Sequence, residues 1–413
     1  MKTLSYGRQI IEQDDIDAVV RVLQSDYLTC GPEVSQFEEE LARYCHSRFA
    51  VVCANGTAAL HLASLALGID EGCEVISTPL TFAATTNSAL YCGAQVAFVD
   101  IDSQTGCIDP DQIEDYISQR QQGPQKLRAI YAVHYAGKVA DLQRLSEIAK
   151  KYDLFLIEDA CHAIGSAYTV GQKTFQIGCS AHSDLSVFSF HPVKNMTTGE
   201  GGAITLNDEK LYQKLLSLRA HGMIREPQRW IHLSAGFTDG ASNPWYHEMQ
   251  DLGYNYRLTD IQAALGRSQL SKLDRFILKR KQIANWYRSE FAEAQLPLKL
   301  MYPDDQFGHS YHLFPVLIPF EELKVKRADL MRSLAKDGLF TQVHYIPVHF
   351  HPYYQKMIQE GRVKVFSSAN CEAIYQQCLS LPIFPSMEES DVRRVVRSLG
   401  QWIQHRPSLQ SHV

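Results

Sequence analysis

The alternation of short apolar runs with helical segments is what most constrains the fold of this chain. The runs "FAVVCA" (49–54), "EVIST" (74–78), "QVAFVD" (95–100), "AIYAVHY" (129–135), "LFLIED" (154–159), "LSVFSF" (185–190) and "AITL" (203–206) have the length and apolar character of buried strands. Between them lie segments such as "TAALHLASLALG" and "LQRLSEIAKKY", with apolar residues at helical spacing. Strand–helix alternation predicts a mostly parallel sheet covered on both faces. Ligands of such sheets bind at the carboxyl ends of the strands, and there the functional residues are expected.

After about residue 270 the pattern changes. A long helical stretch, 268–294, leads into mixed text containing "YHLFPVLI" and "FTQVHYIPV". A chain of 413 residues is long for a single core, so we expect a large domain over 1–270 and a smaller α/β domain over 271–413. The stretch 225–248, with Trp230, Trp245 and Tyr246 among Gly, Ser, Asn and Pro, reads as a long ordered loop. The polar tail 404–413 is expected to fray.

A net charge of −6 argues against a nucleic-acid surface. No run approaches the roughly 20 apolar residues that span a bilayer, so no membrane segment is expected. The first residues, "MKTLSYGRQIIEQDD", carry no export signal, and the expected location is the cytoplasm. Ten scattered cysteines without a CxxC pair read as reduced thiols, with no metal site.

Three sites fall at strand ends. In "ANGTAAL" (54–60), Asn55-Gly56-Thr57 opens a helix; this is either a plain N-cap or an anion cradle. In "IEDACHAIG" (157–165), Asp159 follows a strand as a turn cap or as the partner of a cationic ring nitrogen. His162 reads as a structural histidine or a catalytic one. In "FSFHPVKNMTTGEGG" (188–202), Ser189 closes a strand and Lys194 follows as a loop lysine or as a nucleophilic amine. Each has an ordinary structural reading. Together they match the needs of pyridoxal phosphate: a lysine for the aldehyde, a carboxylate for the ring nitrogen and a cradle for the phosphate. Phe82, in "TPLTFAATTN" (78–87), adds a flat apolar side chain after another strand.

The segments "TPLTFAATTNSALYCGAQVAFVDID", "IEDACHAIGS", "FSFHPVKNMTTGEGGA" and "LGYNYRLTDIQAALGRSQLSKLD" resemble the DegT/StrS-type nucleotide-sugar aminotransferases, from Tyr6 to about Pro385. The resemblance implies a fold-type-I α/β aminotransferase that works as a homodimer with shared active sites. It implies that Lys194 is the Schiff-base lysine and that Asp159 pairs with the pyridine nitrogen. Gly56, Thr57, Ala58 and Ser189 fall on phosphate-binding positions, Phe82 on the ring-stacking position, and His162 near the cofactor's 3-hydroxyl, where relatives often have glutamine. Asn255 matches an asparagine that reaches the neighbouring subunit's phosphate. Tyr6, the run Asp26, Tyr27, Leu28, Thr29 and the run His344, Tyr345, Ile346, Pro347 match substrate-contacting segments. Some family members carry histidine in place of the lysine and dehydrate sugars; Lys194 argues against that reading here.

Within the family, "SVFSFHPVK", "VHYAGK" and "QVHYIPVH" are similar to the branch that transfers the amino group of L-glutamate to C4 of UDP-2-acetamido-2,6-dideoxy-β-L-arabino-hex-4-ulose, on the way to pseudaminic acid. Another UDP- or dTDP-ketosugar is the alternative substrate. A non-catalytic pyridoxal phosphate-binding regulatory protein and a plain structural α/β protein are the alternatives of other classes.

Overall fold

A computed structural model of the protein describes residues 2–120 and 124–404; the tail from 405 onward lies outside the described residues. All seven apolar runs become strands of one eight-stranded sheet. They are β1 (Phe49–Cys53), β2 (Cys73–Ser77), β3 (Gln95–Phe98), β4 (Lys126–Val133) and β5 (Phe155–Asp159), then, after a small hairpin of β6 (Ala167–Val170) and β7 (Lys173–Gln176), β8 (Leu185–Ser189) and β9 (Gly202–Leu206). The spatial order is β1-β9-β8-β5-β4-β2-β3, closed at the far edge by Val363–Val365. Only β9 runs against its neighbours, and the other pairs are parallel. The sheet is therefore mostly parallel, as its near-continuous apolar strands predict.

Two cores flank the sheet. One holds Ile76, Ile130, Leu156 and Phe188; the other holds Val75, Val96, Ile157 and Val187. The first four helices are α1 (Gln13–Leu23), α2 (Pro32–Cys45), α3 (Gly56–Ala66) and α4 (Ala84–Tyr91), of which α3 and α4 border the site. The sequence of α3, GTAALHLASLA, is apolar nearly all round, so the helix is buried rather than amphipathic.

Past residue 270, the long helix Leu273–Ala294, a three-stranded antiparallel sheet (Lys299–Leu300, Phe314–Leu317, Cys378–Leu381) and the helix Glu389–Gln404 surround a third core, which also takes in Leu4. The chain then crosses back. Val348, Tyr354, Met357 and Val363 belong to the core of the large sheet, and Val363–Val365 pairs in parallel with β3. The expected division at 270 is thus crossed in both directions, by Leu4, which bridges to Leu339, and by residues 348–365. Loop 225–248 is organised around buried Trp230, whose ring meets Tyr246 edge-on at 4.7 Å, and around Glu248, which accepts from the amides of Ile231 and His232 at 2.7 Å each.

The edge strand is held by charge as well as by backbone pairing. Glu74, fully buried on β2, accepts from Arg120 Nε at 2.7 Å, Tyr116 OH at 2.7 Å and Lys364 Nζ at 2.5 Å. These partners outweigh the cost of burial and hold its carboxyl below the ordinary range. Glu74→Ala should cost about 2 kcal/mol in urea unfolding. That is below the roughly 3–5 kcal/mol for breaking a fully buried pair, because Lys364 and Arg120 are partly exposed and regain water.

Candidate active site

The carboxyl ends of β1, β5 and β8 and the loop after β2 open into one cavity of about 1190 Å³. It is bordered by Gly56, Thr57, Phe82, Asp159, His162, Ser189 and Lys194, seven of the expected cofactor residues, and by Tyr6, His344, Tyr345 and Ile346.

Its floor is built by close approach. A Cβ on Gly202, at the start of β9, would lie 2.4 Å from Asn55 O and 2.8 Å from Gly56 N; one on Gly56 would lie 2.9 Å from Ser189 Cβ. The missing side chains let the first turn of α3 rest on the ends of β8 and β9. Asn55 caps this helix by accepting from Ala58 N at 2.8 Å, so Ala58 spends its amide on the cap and does not border the cavity. The N–H groups of Gly56 and Thr57 have no intrahelical acceptor. With Ser189 Oγ, they form a cradle for an anion.

Asp159 ends β5 and is buried. Its Oδ1 accepts from Cys161 N at 3.2 Å and its Oδ2 from Thr85 Oγ1 at 2.6 Å. One oxygen thus caps a turn, while the residue also borders the cavity. Thr85, on α4, was not singled out from sequence. Its one signal was a polar, β-branched residue three positions after Phe82, at the start of a buried helix.

Lys194 is half-buried on the loop after β8. Burial pushes its pKa down, opposed by Cys161 and Asp159. A larger neutral fraction is what a nucleophilic amine requires. His162 accepts from Ala136 N–H at Nδ1, at 3.3 Å, so its hydrogen lies on Nε2, which is 2.8 Å from Tyr345 OH. Burial, reinforced by the charge of Lys194, holds His162 well below the ordinary histidine pKa and pushes His344 down to about 3. The wall beside the lysine is therefore neutral. Phe82 is 61% exposed, an open aromatic face above the cavity, with its ring 6.1 Å from that of Tyr345. His312, also at the cavity and 4.5 Å from the His162 ring, was not foreseen.

The remaining expected residues lie elsewhere. Pro347 is behind the wall. Asp26, Tyr27, Leu28, Thr29 and Asn255 are exposed and do not border the cavity of their own chain. Leu28 O accepts from Asp260 N at 3.0 Å and Thr29 bridges to Thr259, whereas Asn255 bridges to Ala220. No residue of 225–248 borders the cavity. Among the described residues, no group of three or more His, Cys, Asp or Glu is placed to hold a metal, and no helix is long and apolar enough to cross a membrane.

The residues fit pyridoxal phosphate. A half-buried amine, a buried carboxylate, an open aromatic face and a glycine-lined cradle that a Cβ would fill share one cavity. Gly202→Ala should press α3 away from the strand ends and weaken cofactor binding roughly tenfold or more, measured by equilibrium titration of the apoprotein.

A sequence model of the DegT/DnrJ/EryC1/StrS aminotransferase family matches residues 9–400. The UDP-4-amino-4,6-dideoxy-N-acetyl-beta-L-altrosamine transaminase of Campylobacter jejuni is 38% identical over 96% of both chains. The solved Helicobacter pylori PseC, an aminotransferase involved in the biosynthesis of pseudoaminic acid, superposes with a TM-score of 0.83 at 28% identity, covering 98% of this chain and 100% of that one. A Streptococcus pneumoniae protein described as a sugar aminotransferase and solved in its PLP form has a TM-score of 0.82 at 25% identity, over 98% of this chain and 99% of that one.

Proposed function

Because the chain belongs to the DegT/DnrJ/EryC1/StrS aminotransferase family, we propose that it aminates C4 of UDP-2-acetamido-2,6-dideoxy-β-L-arabino-hex-4-ulose, with L-glutamate as donor, to give UDP-4-amino-4,6-dideoxy-N-acetyl-β-L-altrosamine. The protein is a pyridoxal phosphate-dependent aminotransferase of nucleotide-linked sugars. The narrower substrate is supported by the names of the Campylobacter and Helicobacter relatives. The observation that carries the chemistry is that Lys194, on the loop after β8, and Asp159, at the end of neighbouring β5, border one cavity with the first turn of α3.

When bound, pyridoxal phosphate supplies an aldehyde that bonds amines and a ring that takes up carbanion electrons. Gly56 N–H, Thr57 N–H and Ser189 Oγ hold the phosphate. Asp159 keeps a proton on the ring nitrogen, and Thr85 Oγ1 fixes the carboxylate's orientation from behind. Phe82 would cover one face of the ring, and His162, together with Tyr345 at its Nε2, would lie near the 3-hydroxyl. Lys194 Nζ takes the proton from the donor's α-carbon and, in the reverse sense, returns one to C4 of the sugar. A cavity of about 1190 Å³ exceeds the roughly 300–1,000 Å³ of a site for one small ligand, which suits a cofactor together with a nucleotide sugar. With a panel of UDP- and dTDP-ketosugars and glutamate, the UDP-N-acetyl-4-ketosugar should have the highest kcat/KM. A preferred dTDP-sugar would move the protein to another branch.

The exposure of Asp26–Thr29 and of Asn255, away from the cavity of their own chain, supports a two-fold dimer in which each chain completes its partner's site. Lys194→Ala and Asn255→Asp homodimers should each be nearly inactive. A differently tagged heterodimer of the two variants holds one site with both residues intact and should recover roughly half of wild-type activity. A heterodimer no better than its parents refutes the shared site.

A further inference from the structure

Arg280 lies on the helix Leu273–Ala294, is fully buried, and meets only carbonyls. Its Nη1 donates to Ile383 O at 2.9 Å, Tyr311 O at 3.2 Å and His312 O at 3.3 Å. Its Nε and Nη2 have no acceptor among the described residues. Buried donors left without partners are costly, and in native proteins such groups are usually met by ordered water.

Arg280 borders a second cavity, of about 10 Å³, the room of one water molecule. Lys194 and Asn195 border it too. Asn195 is buried. Its Nδ2 makes only long contacts, 3.4 Å to Ile164 O and 3.5 Å to Ser310 O, and its Oδ1 has no donor. One small space therefore has leftover donors on one residue around it and a leftover acceptor on another. An anion can accept from Arg280 but has nothing to donate to Asn195 Oδ1, whereas water does both.

We infer that a single buried water joins Arg280 to Asn195 Oδ1 and makes Arg280 a positioning residue for Lys194, which immediately precedes Asn195. Through Nη1 the same guanidinium seats the backbone of His312, whose ring borders the large cavity, so one side chain sets two parts of the site. The inference rests on the proposal that Lys194 carries the reaction; that proposal fails separately, if Lys194→Ala remains active.

The test uses the cofactor-loaded enzyme with Arg280→Met, Asn195→Ala and the double variant. Each single variant should lower kcat roughly tenfold or more, with KM for glutamate within about twofold, because a displaced amine misses the reacting atom while substrate contacts remain. The visible circular dichroism of the bound cofactor, which reports its orientation, should change in both. The double variant should be no slower than Arg280→Met alone, since both changes break one link. Unchanged kcat and dichroism with only reduced stability would overturn the inference, as would kcat losses that multiply in the double variant. If Arg280→Met does not fold, Asn195→Ala decides by itself: wild-type kcat and dichroism refute the link.

Discussion

The contact between the first turn of α3 and the ends of β8 and β9 is the constraint on which the rest of the site depends. It exists because Gly202 and Gly56 have no Cβ to fill the gap. The anion cradle, the position of Ser189 and the entry to the Lys194 loop all follow from that contact. β9, the one antiparallel strand, makes it possible: running opposite to its neighbours, it brings its first residue, not its last, to the edge where the ligand binds.

On this scaffold, burial sorts the charges. Lys194 is pushed toward the neutral amine, and the histidines beside it are held neutral. Beside them, Asp159 accepts two hydrogen bonds, from Thr85 Oγ1 and Cys161 N. Low-dielectric surroundings discourage every charge except those with a partner, and a cofactor with a cationic ring nitrogen and an anionic phosphate supplies the partners this site is built to meet.

The seven central strands were legible in the sequence because strands buried on both faces must be apolar throughout. The eighth was not: Val363–Val365 is three residues long, with Lys364 and Val365 exposed, and its place at the edge is decided by Glu74, nearly three hundred residues earlier. Lys194, Asp159 and Gly56 were legible because strand ends mark them. Thr85 acts through Asp159 and His312 arrives from the far side of the chain, so neither leaves a local pattern. Asp26–Thr29 and Asn255 came from resemblance alone, and none of them borders the cavity of its own chain.

The cavity wall from Gln342 to Val348 is moored at both ends. Gln342 pairs with Ser380 of the small antiparallel sheet, and Val348 N reaches Pro79 O, in the turn that leads to Phe82. Between these ends the segment is pinned again, by Tyr135 OH donating to His344 O and by the contact of Tyr345 OH with His162 Nε2, like a strap fastened at two posts and along its length. The width of the opening is then set by the distance between the posts as much as by the side chains that face it. Substitutions in the seam between the cores, remote from any ligand, become a route by which such a protein changes the size of sugar it admits.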